Sequence, residues 1–287
     1  MRLGLTTFLA ATGLMASSLG VLAAEPTYQG QFVQGGIVFG QADAGASILL
    51  DGKAIDTINP DGAFILGFPR DYEGPAKLTL RNPDGSAEEY AYDIGDREFD
   101  IQRIDGLPPK MVTPDPEVMA RIKDDSRQAR EARVERFTQK FYDHGFIWPA
   151  LGRISGVYGS QRILNGQPRS PHWGVDIAVP TGTPVVAPAD GIVTLAHPDM
   201  YFSGATLFID HGVGMVSAFL QLSKIDVKAG HVVHQGDVIA KVGASGRATG
   251  PHLDWRINVG DARVDAALLV PPMEDAEKAA SVIKANN

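Results

Sequence analysis

The chain of 287 residues contains no cysteine. This absence excludes disulfide-stapled scaffolds, thiolate zinc fingers, iron–sulfur clusters and cysteine nucleophiles. It also excludes a lipoprotein, because no cysteine follows the apolar N-terminus as a site of lipid attachment. Any metal site in this protein must therefore be built from nitrogen and oxygen ligands.

Basic residues are also scarce. The sequence has 26 lysines and arginines against 34 acidic residues, so its formal net charge is −8. Proteins that bind nucleic acid grip the phosphates with clustered lysine and arginine, so we expect no nucleic-acid partner. Beyond the N-terminus, no apolar run approaches the roughly 18 residues that a membrane-spanning helix requires.

The first residues have the pattern of an export signal. Arg2 is the only charged residue before Glu25, and residues 3–21 form an apolar stretch that ends in small residues. A basic start, a short apolar core and a small-residue site are typical of a cleaved signal peptide. We predict that residues 1–24 are removed, and that export of a chain without cysteine leads to a bacterial periplasm.

The next region, residues 25–106, is predicted to be a β-sandwich-like accessory domain. Strand-like runs cover residues 35–40, 47–50 and 64–66, and Asp-Gly pairs supply the positive φ angles of tight turns. These pairs are Asp51-Gly52, Asp61-Gly62 and Asp84-Gly85, and the strand-like residues Tyr90, Tyr92 and Ile94 alternate with polar or small neighbours.

Residues 107–145 are predicted to form a linker and a charged helix. Asp115 is a suitable N-cap and Pro116 fits the first helical position, so we expect a helix that runs to about Tyr142 and stops near Gly145. Its apolar residues are sparse, which favours a solvated helix anchored at its ends. A plain linker and a partner-binding helix are both compatible with this pattern.

Residues 146–271 read as a second β-rich domain, followed by a tail at 272–287 that is a short polar helix or disordered. Strands are predicted at residues 191–195, 205–209, 216–220 and 238–242, each bounded by glycine or aspartate. The predicted fold class is mainly β, with an N-terminal sandwich, a charged linker helix and a C-terminal antiparallel β domain.

Two short motifs in this last domain carry candidate chemistry. His172 and Asp176 lie four residues apart before an apolar run, and His252 and Asp254 lie two apart. Strand residues separated by an even number project from the same face, so each motif offers an imidazole and a carboxylate on one side. Zinc accepts both ligand types, and three protein ligands leave a position open. Alternatively, the histidine and aspartate of each motif form a hydrogen-bonded pair with a purely structural role.

The order of motifs resembles the M23 (LytM/lysostaphin-type) metallo-endopeptidases, which cut peptide cross-links in bacterial cell walls. The resemblance covers about 125 residues and is carried by Gly156-Val157-Tyr158-Gly159, residues 171–180, Thr183-Pro184-Val185-Val186-Ala187, Asp190-Gly191-Ile192-Val193, Asp210-His211-Gly212 and residues 243–252. It implies an antiparallel β LytM-type domain, one zinc ion and the peptide stems of peptidoglycan as the partner.

The resemblance assigns roles residue by residue. His172 and Asp176 match the first two zinc ligands, and His252 matches a catalytic histidine. Asp254 stands where the family has a third, histidine ligand, and Gln221 stands where it has its other catalytic histidine. The loops that flank the ligands in this family supply four further candidates for the substrate groove: Trp173, Tyr158, Arg162 and Asn165.

The two departures predict weakened catalysis. Carboxylates at Asp176 and Asp254 would offset the whole charge of a zinc dication and reduce its Lewis acidity. An amide at Gln221 cannot shuttle a proton, and loss of such a group typically costs roughly 10²–10⁴-fold in rate. His252 remains available as a general base.

Three functions are therefore weighed. The first is a periplasmic, peptidoglycan-directed zinc endopeptidase with attenuated activity. The second is an inactive LytM-domain protein that binds peptidoglycan or regulates a cell-wall amidase or another hydrolase. The third, a biotinyl or lipoyl carrier, is disfavoured because no modifiable lysine stands at a predicted hairpin tip.

Overall fold

The computed structural model describes residues 27–105, 116–134 and 137–285. The predicted signal peptide at 1–24 and the first part of the predicted linker lie outside the described residues. The described chain is mostly β-strand with two α-helices, as the sequence predicts. Neither helix combines the length and the apolar character needed to cross a membrane.

The front of the chain forms two sheets that face each other. Their strand orders are β1-β2-β5 and β4-β3-β6-β7, and apolar side chains from both sheets, among them Val38, Ile48, Phe64 and Leu78, share one buried core. The strands of this region are β1 (Thr27–Gly30), β2 (Ile37–Gln41), β3 (Ser47–Leu50), β4 (Lys53–Ala54), β5 (Ala63–Gly67), β6 (Ala76–Arg81), β7 (Ala87–Tyr92) and β8 (Ile101–Ile104).

A turn at Asp51 and Gly52 joins β3 to β4. Both residues have positive φ, 51° and 76°, as the Asp-Gly pair predicts for a two-residue hairpin.

Strand β6 was not among the predicted strands. Its alternation of buried Ala76, Leu78 and Leu80 with more exposed neighbours is nevertheless the ordinary pattern of a half-buried strand.

The back of the chain is organised around one eight-stranded sheet. Its order is β18-β14-β15-β16-β20-β12-β9, with β21 paired to β20, and a smaller sheet β13-β19-β17 lies beside it. The strands are β9 (Arg153–Gly156), β10 (Gln161–Leu164), β11 (Gln167–Pro168), β12 (Val175–Ala178), β13 (Pro184–Val186), β14 (Gly191–Met200), β15 (Gly204–Asp210), β16 (Met215–Leu222), β17 (Lys224–Ile225), β18 (Val232–Val233), β19 (Val238–Lys241), β20 (Leu253–Val259) and β21 (Ala262–Val264).

The central strands β15, β16 and β20 are buried on both faces. One face carries Leu207, Phe219 and Trp255, which belong to the main apolar core. The other face carries Phe208, Ala218 and Arg256, which lie opposite one another across the three strands. The candidate metal ligands of β12 and β20 lie on this second face, because Asp176 is the partner of Asp254.

Helix α1 (Met119–Val134) follows a short 3₁₀ turn at Pro116–Val118 and packs on the second face. Ala132 lies in a small apolar cluster with Phe208 and Ala218, and Ala129 packs against it. Near the middle of the helix, the Asp125 carboxylate accepts a hydrogen bond from the Tyr201 backbone N at 2.6 Å. The helix is otherwise largely exposed, as its sparse apolar residues predict.

The predicted C-terminal end of this helix is wrong. The last described helical residue is Val134, whereas residues 137–145 form an irregular segment. The backbone of this segment is bonded to the β15–β16 turn instead: Val213 N donates to Phe137 O at 2.7 Å, and Phe141 N donates to His211 O at 3.0 Å. A Cβ on Gly212 would lie 1.7 Å from Gln139 O, so this close approach requires glycine.

Several contacts join the front and back regions. Strand β8 pairs in parallel with β10, and Arg97 forms an ion pair with Asp265 at 2.8 Å. The Arg70 Nε also donates to Gly159 O at 2.7 Å. Helix α2 (Met273–Ala285) ends the described chain and occupies the predicted tail.

Candidate metal centre

Strands β12 and β20 bring the two candidate motifs together. Asp176 and Asp254 are direct partners in the antiparallel register, so their side chains project from the same face. His172 precedes β12 in a loop, where its N donates to Ser160 O at 2.7 Å and its O accepts from Gly159 N at 2.8 Å. The prediction that His172 and Asp176 share a strand face is therefore wrong in its mechanism, although the two side chains do meet.

The three predicted ligands form a compact group. One ligand atom from each of His172, Asp176 and Asp254 lies within 4.8 Å of those of the other two. His172 Nε2 and Asp176 Oδ1 are 3.0 Å apart, and both atoms are buried without a hydrogen-bond partner among the described residues. Two buried polar atoms that lie this close without a hydrogen bond are costly unless another group satisfies both, and a cation held by the two atoms would do so. The donor set therefore fits a zinc ion.

Asp254 has a second, unpredicted partner. Arg256 Nε donates to Asp254 Oδ1 at 2.9 Å and Arg256 Nη2 donates to Oδ2 at 2.6 Å, so the pair is bidentate. Burial alone would raise the pKa of the Asp254 carboxyl, but the charge and hydrogen bonds of Arg256 hold it below its ordinary value. Because each carboxylate oxygen has two lone pairs, Asp254 can accept from Arg256 and still ligate a metal.

Arg256 changes the charge balance expected from the sequence. Asp176 and Asp254 carry two negative charges, and the guanidinium of Arg256 cancels one of them at contact distance. The two carboxylates therefore offset less of the charge of a bound dication than their number alone predicts. The sequence does contain a pattern that predicts this contact, because residues 254 and 256 are two apart on one strand and so share a face.

The loop before β12 passes directly over this ion pair. A Cβ on Gly174 would lie 2.5 Å from Asp254 Oδ1 and 2.6 Å from Arg256 Cγ. Only glycine leaves room for this approach. The contact shields the pair from water, and Asp254 is only 3% exposed while Arg256 keeps 29% exposure.

His252 is oriented as a base beside the same group. Its Nδ1 lies 2.8 Å from the carbonyl oxygen of Gly250, and this acceptor assigns the ring proton to Nδ1 in the neutral state. Its Nε2 then presents a lone pair and lies 3.8 Å from Asp176 Oδ1. His252 is thus available to take a proton next to the predicted ligands.

Gln221 occupies a strained backbone position near the end of β16. Its φ is +64°, in the left-handed region that residues other than glycine rarely adopt, and its backbone N donates to Ser203 O at 2.8 Å. The neighbouring residue Leu220 lies opposite Asp254. The Oε1 atom of Gln221 is buried with no hydrogen-bond partner among the described residues. Strain of this kind concentrates at functional sites.

The four predicted groove residues differ in their placement. Tyr158 is 3% exposed, and its hydroxyl donates to Arg263 O at 2.7 Å, so the structure favours packing under the loop for this residue. Trp173 lies above it and is half-buried, with the Arg263 guanidinium 4.9 Å from the ring centroid. Arg162 lies on β10, and Asn165 lies in the exposed β10–β11 turn with a φ of 49°.

His211 has a structural role. It is fully buried in the β15–β16 turn, with Nδ1 2.7 Å from Asp190 O and Nε2 2.7 Å from Ser217 Oγ. Burial lowers its pKa to about 4, against the smaller opposing effect of Asp190. It is neutral at physiological pH and takes no part in the candidate centre.

Comparison with known proteins places this site in a family. The family described as Peptidase family M23 matches residues 170–266, which include His172, Asp176, Gln221, His252 and Asp254. Two proteins of Vibrio cholerae are similar over the same part. Peptidoglycan DD-endopeptidase ShyA is 39% identical over 124 residues, and peptidoglycan DD-endopeptidase ShyB is 44% identical over 98 residues.

These two alignments cover 42% and 33% of this chain but only 28% and 22% of the relatives. A crystal structure of an M23-family protein from Pseudomonas aeruginosa is similar over much more of the molecule. It is 33% identical with a TM-score of 0.64, and the superposition covers 83% of this chain and 95% of that one. The family match at the site and this whole-length similarity together show that the chain belongs to peptidase family M23.

Proposed function

We propose that this protein is a zinc-dependent endopeptidase that acts on the peptide cross-links of peptidoglycan in the periplasm, with attenuated turnover. The observation that carries the proposal is the pair of buried, unpartnered atoms His172 Nε2 and Asp176 Oδ1, which face each other beside Asp254. The names of ShyA and ShyB support peptidoglycan as the substrate.

The proposed ligands are His172, Asp176 and Asp254. The chemistry that zinc supplies when bound is Lewis acidity toward the carbonyl of a scissile peptide bond. Arg256 orients Asp254 through two hydrogen bonds and keeps it ionised. Such outer contacts fix the geometry of a ligand and adjust the charge of the whole site.

His252 is the proposed general base. Its Nδ1 is held by Gly250 O, which leaves Nε2 to accept a proton from the attacking water and to return it to the leaving amine. Gln221 can donate a hydrogen bond to developing negative charge but cannot carry a proton. The proposed attenuation follows from this difference.

A second candidate function is peptidoglycan binding without hydrolysis. The observation that favours it is Gln221, since a buried amide at this position removes one of the two proton-carrying groups that the family resemblance implies. Regulation of a cell-wall amidase is one form of this alternative.

Digestion of purified peptidoglycan separates the two functions. Zinc-loaded protein is incubated with cell-wall sacculi, and released fragments are identified by mass spectrometry. The proposal predicts slow cleavage of cross-links by the parent and by His234→Ala, which alters an exposed histidine, and none by His252→Ala. Zinc-loaded parent that binds sacculi and cuts no cross-link would contradict hydrolysis and support the binding function.

A further inference from the structure

Three arginines lie on or above the face of the sheet that carries the candidate metal ligands. Arg256 lies on β20, Arg263 on the neighbouring strand β21, and Arg133 in the last turn of α1. Arg263 pairs in register with Asn258, which is two residues from Arg256, so both arginines project from the same face of the sheet.

Arg133 reaches this face from above. Its guanidinium lies 4.4 Å from the centroid of the Phe208 ring, and Phe208, Ala218 and Arg256 are aligned across three neighbouring strands. Strands are roughly 4.8 Å apart, so Phe208 and Arg256 lie two strands apart, and Ala218 between them belongs to the same apolar cluster as Ala132 of the helix. Burial lowers the pKa of Arg133 to about 10, with additional lowering by Arg263 and Arg256.

The positive charge of this cluster exceeds the negative charge beside it. Asp254 pairs with Arg256, but within the described residues no carboxylate forms a salt bridge with Arg133 or Arg263. Two donors, Arg133 Nε and the indole Nε1 of Trp173, are buried without a hydrogen-bond partner among the described residues. The Trp173 ring stacks with the guanidinium of Arg263. Uncompensated buried donors next to surplus positive charge are costly unless an anion binds them.

We propose that Arg133 and Arg263, with Trp173, form a subsite for the free carboxylate of a peptide ligand. Guanidinium groups present planar, paired donors that match a carboxylate, and the indole N–H adds one more donor. The subsite adjoins Asp254 through Arg256, so a bound peptide would have its carboxylate fixed at one side of the metal ligands. This inference rests on the proposed function for its substrate class, since peptidoglycan stems end in free carboxylates.

The subsite also gives helix α1 a binding role. Arg133 belongs to the helix and not to the β domain, and the helix is held in place by Ala132 against Phe208. The charged linker helix would therefore contribute directly to ligand recognition. This combines the two readings of the helix that its sequence left open, because it both joins the domains and contacts a ligand.

The test measures binding to chelator-treated, zinc-free protein by titration calorimetry. The probes are N-acetyl-D-alanyl-D-alanine and its C-terminal carboxamide, which differ only in the carboxylate. The parent is expected to bind the acid about tenfold or more tightly than the amide, since hydrogen bonds to charged groups are the stronger ones. Arg263→Gln and Arg133→Gln should each remove most of this preference, whereas Arg130→Gln, on an exposed residue of the same helix, should retain it.

Arg263→Gln is expected to fold normally, because Arg263 is exposed and the Tyr158 hydroxyl donates to its backbone oxygen and not to its side chain. Equal binding of acid and amide by the parent, or an undiminished preference in folded Arg133→Gln and Arg263→Gln, would overturn the subsite. Cleavage of peptidoglycan without any acid preference overturns the subsite and leaves the hydrolase. Acid-selective, arginine-dependent binding without cleavage overturns the hydrolase and leaves the subsite.

Discussion

Asp254 and Arg256 form a bidentate ion pair on one face of strand β20, with both hydrogen bonds at 2.9 Å or less. The pair lies directly beneath Gly174, in the loop that carries His172 toward Asp176. The aspartate is thereby fixed in position and in charge next to the other two proposed ligands.

Removal of the arginine should destabilise the protein. Arg256→Gln leaves Asp254 buried without its counter-charge, and breaking such a pair costs about 3 kcal/mol, at the lower end of the usual range because Arg256 is partly exposed. Urea unfolding of zinc-free protein measures the change. Arg127→Gln, which breaks exposed ion pairs on α1, should cost at most about 1 kcal/mol. Equal costs for the two variants would contradict the role given to Arg256.

Stability should fall in mild acid because of His211. In the unfolded chain, His211 takes up a proton below about pH 6.5, whereas burial in the folded state lowers its pKa to about 4. This contribution is fully present above pH 6.5 and is lost as the pH falls toward 4, with a slope of about 1.4 kcal/mol per pH unit. Free energies of unfolding of zinc-free protein at several pH values between 7 and 4 measure it.

His211→Gln removes that titration, so the free energy of unfolding should depend less steeply on pH. The decrease in slope should correspond to about one proton fewer taken up on unfolding. His231→Gln, at an exposed loop position, should leave the slope unchanged. An identical slope in the parent and in His211→Gln would show that another group causes the acid sensitivity.

Introducing a histidine at position 221 should increase turnover. Gln221→His supplies a group that can hold and release a proton, and such groups typically contribute 10²–10⁴-fold. We expect a rise of about tenfold or more in the rate of cross-link cleavage, because the backbone is already held at a φ of +64°. Gln221→Asn tolerates the same backbone and should give no rise. Equal rates for the two variants would remove Gln221 as the cause of attenuation.

Local patterns predicted much of the fold. Strand β3 and the Asp51-Gly52 turn follow from an apolar run and turn residues within a few positions of each other. The end of helix α1 did not, because residues after Val134 look helical in isolation. Their backbone is instead bonded to the distant β15–β16 turn, and no local pattern contains that contact.

The candidate site was predictable in its members but not in its balance of charge. Spacing and family resemblance identified His172, Asp176, His252 and Asp254. The period-2 alternation of β20 also places Arg256 beside Asp254, although a bidentate pair depends on side-chain geometry that a sequence does not contain. The approach of Arg133 depends on how α1 packs across the sheet, which is a long-range contact.

The proposed metal centre predicts a definite zinc stoichiometry. The purified protein, His172→Ala and the matched control His234→Ala are loaded with zinc, dialysed and analysed for metal content. We expect about one zinc ion per chain in the parent and in His234→Ala, and almost none in His172→Ala. Equal zinc in all three proteins, or none in the parent, would contradict a metal centre at His172, Asp176 and Asp254.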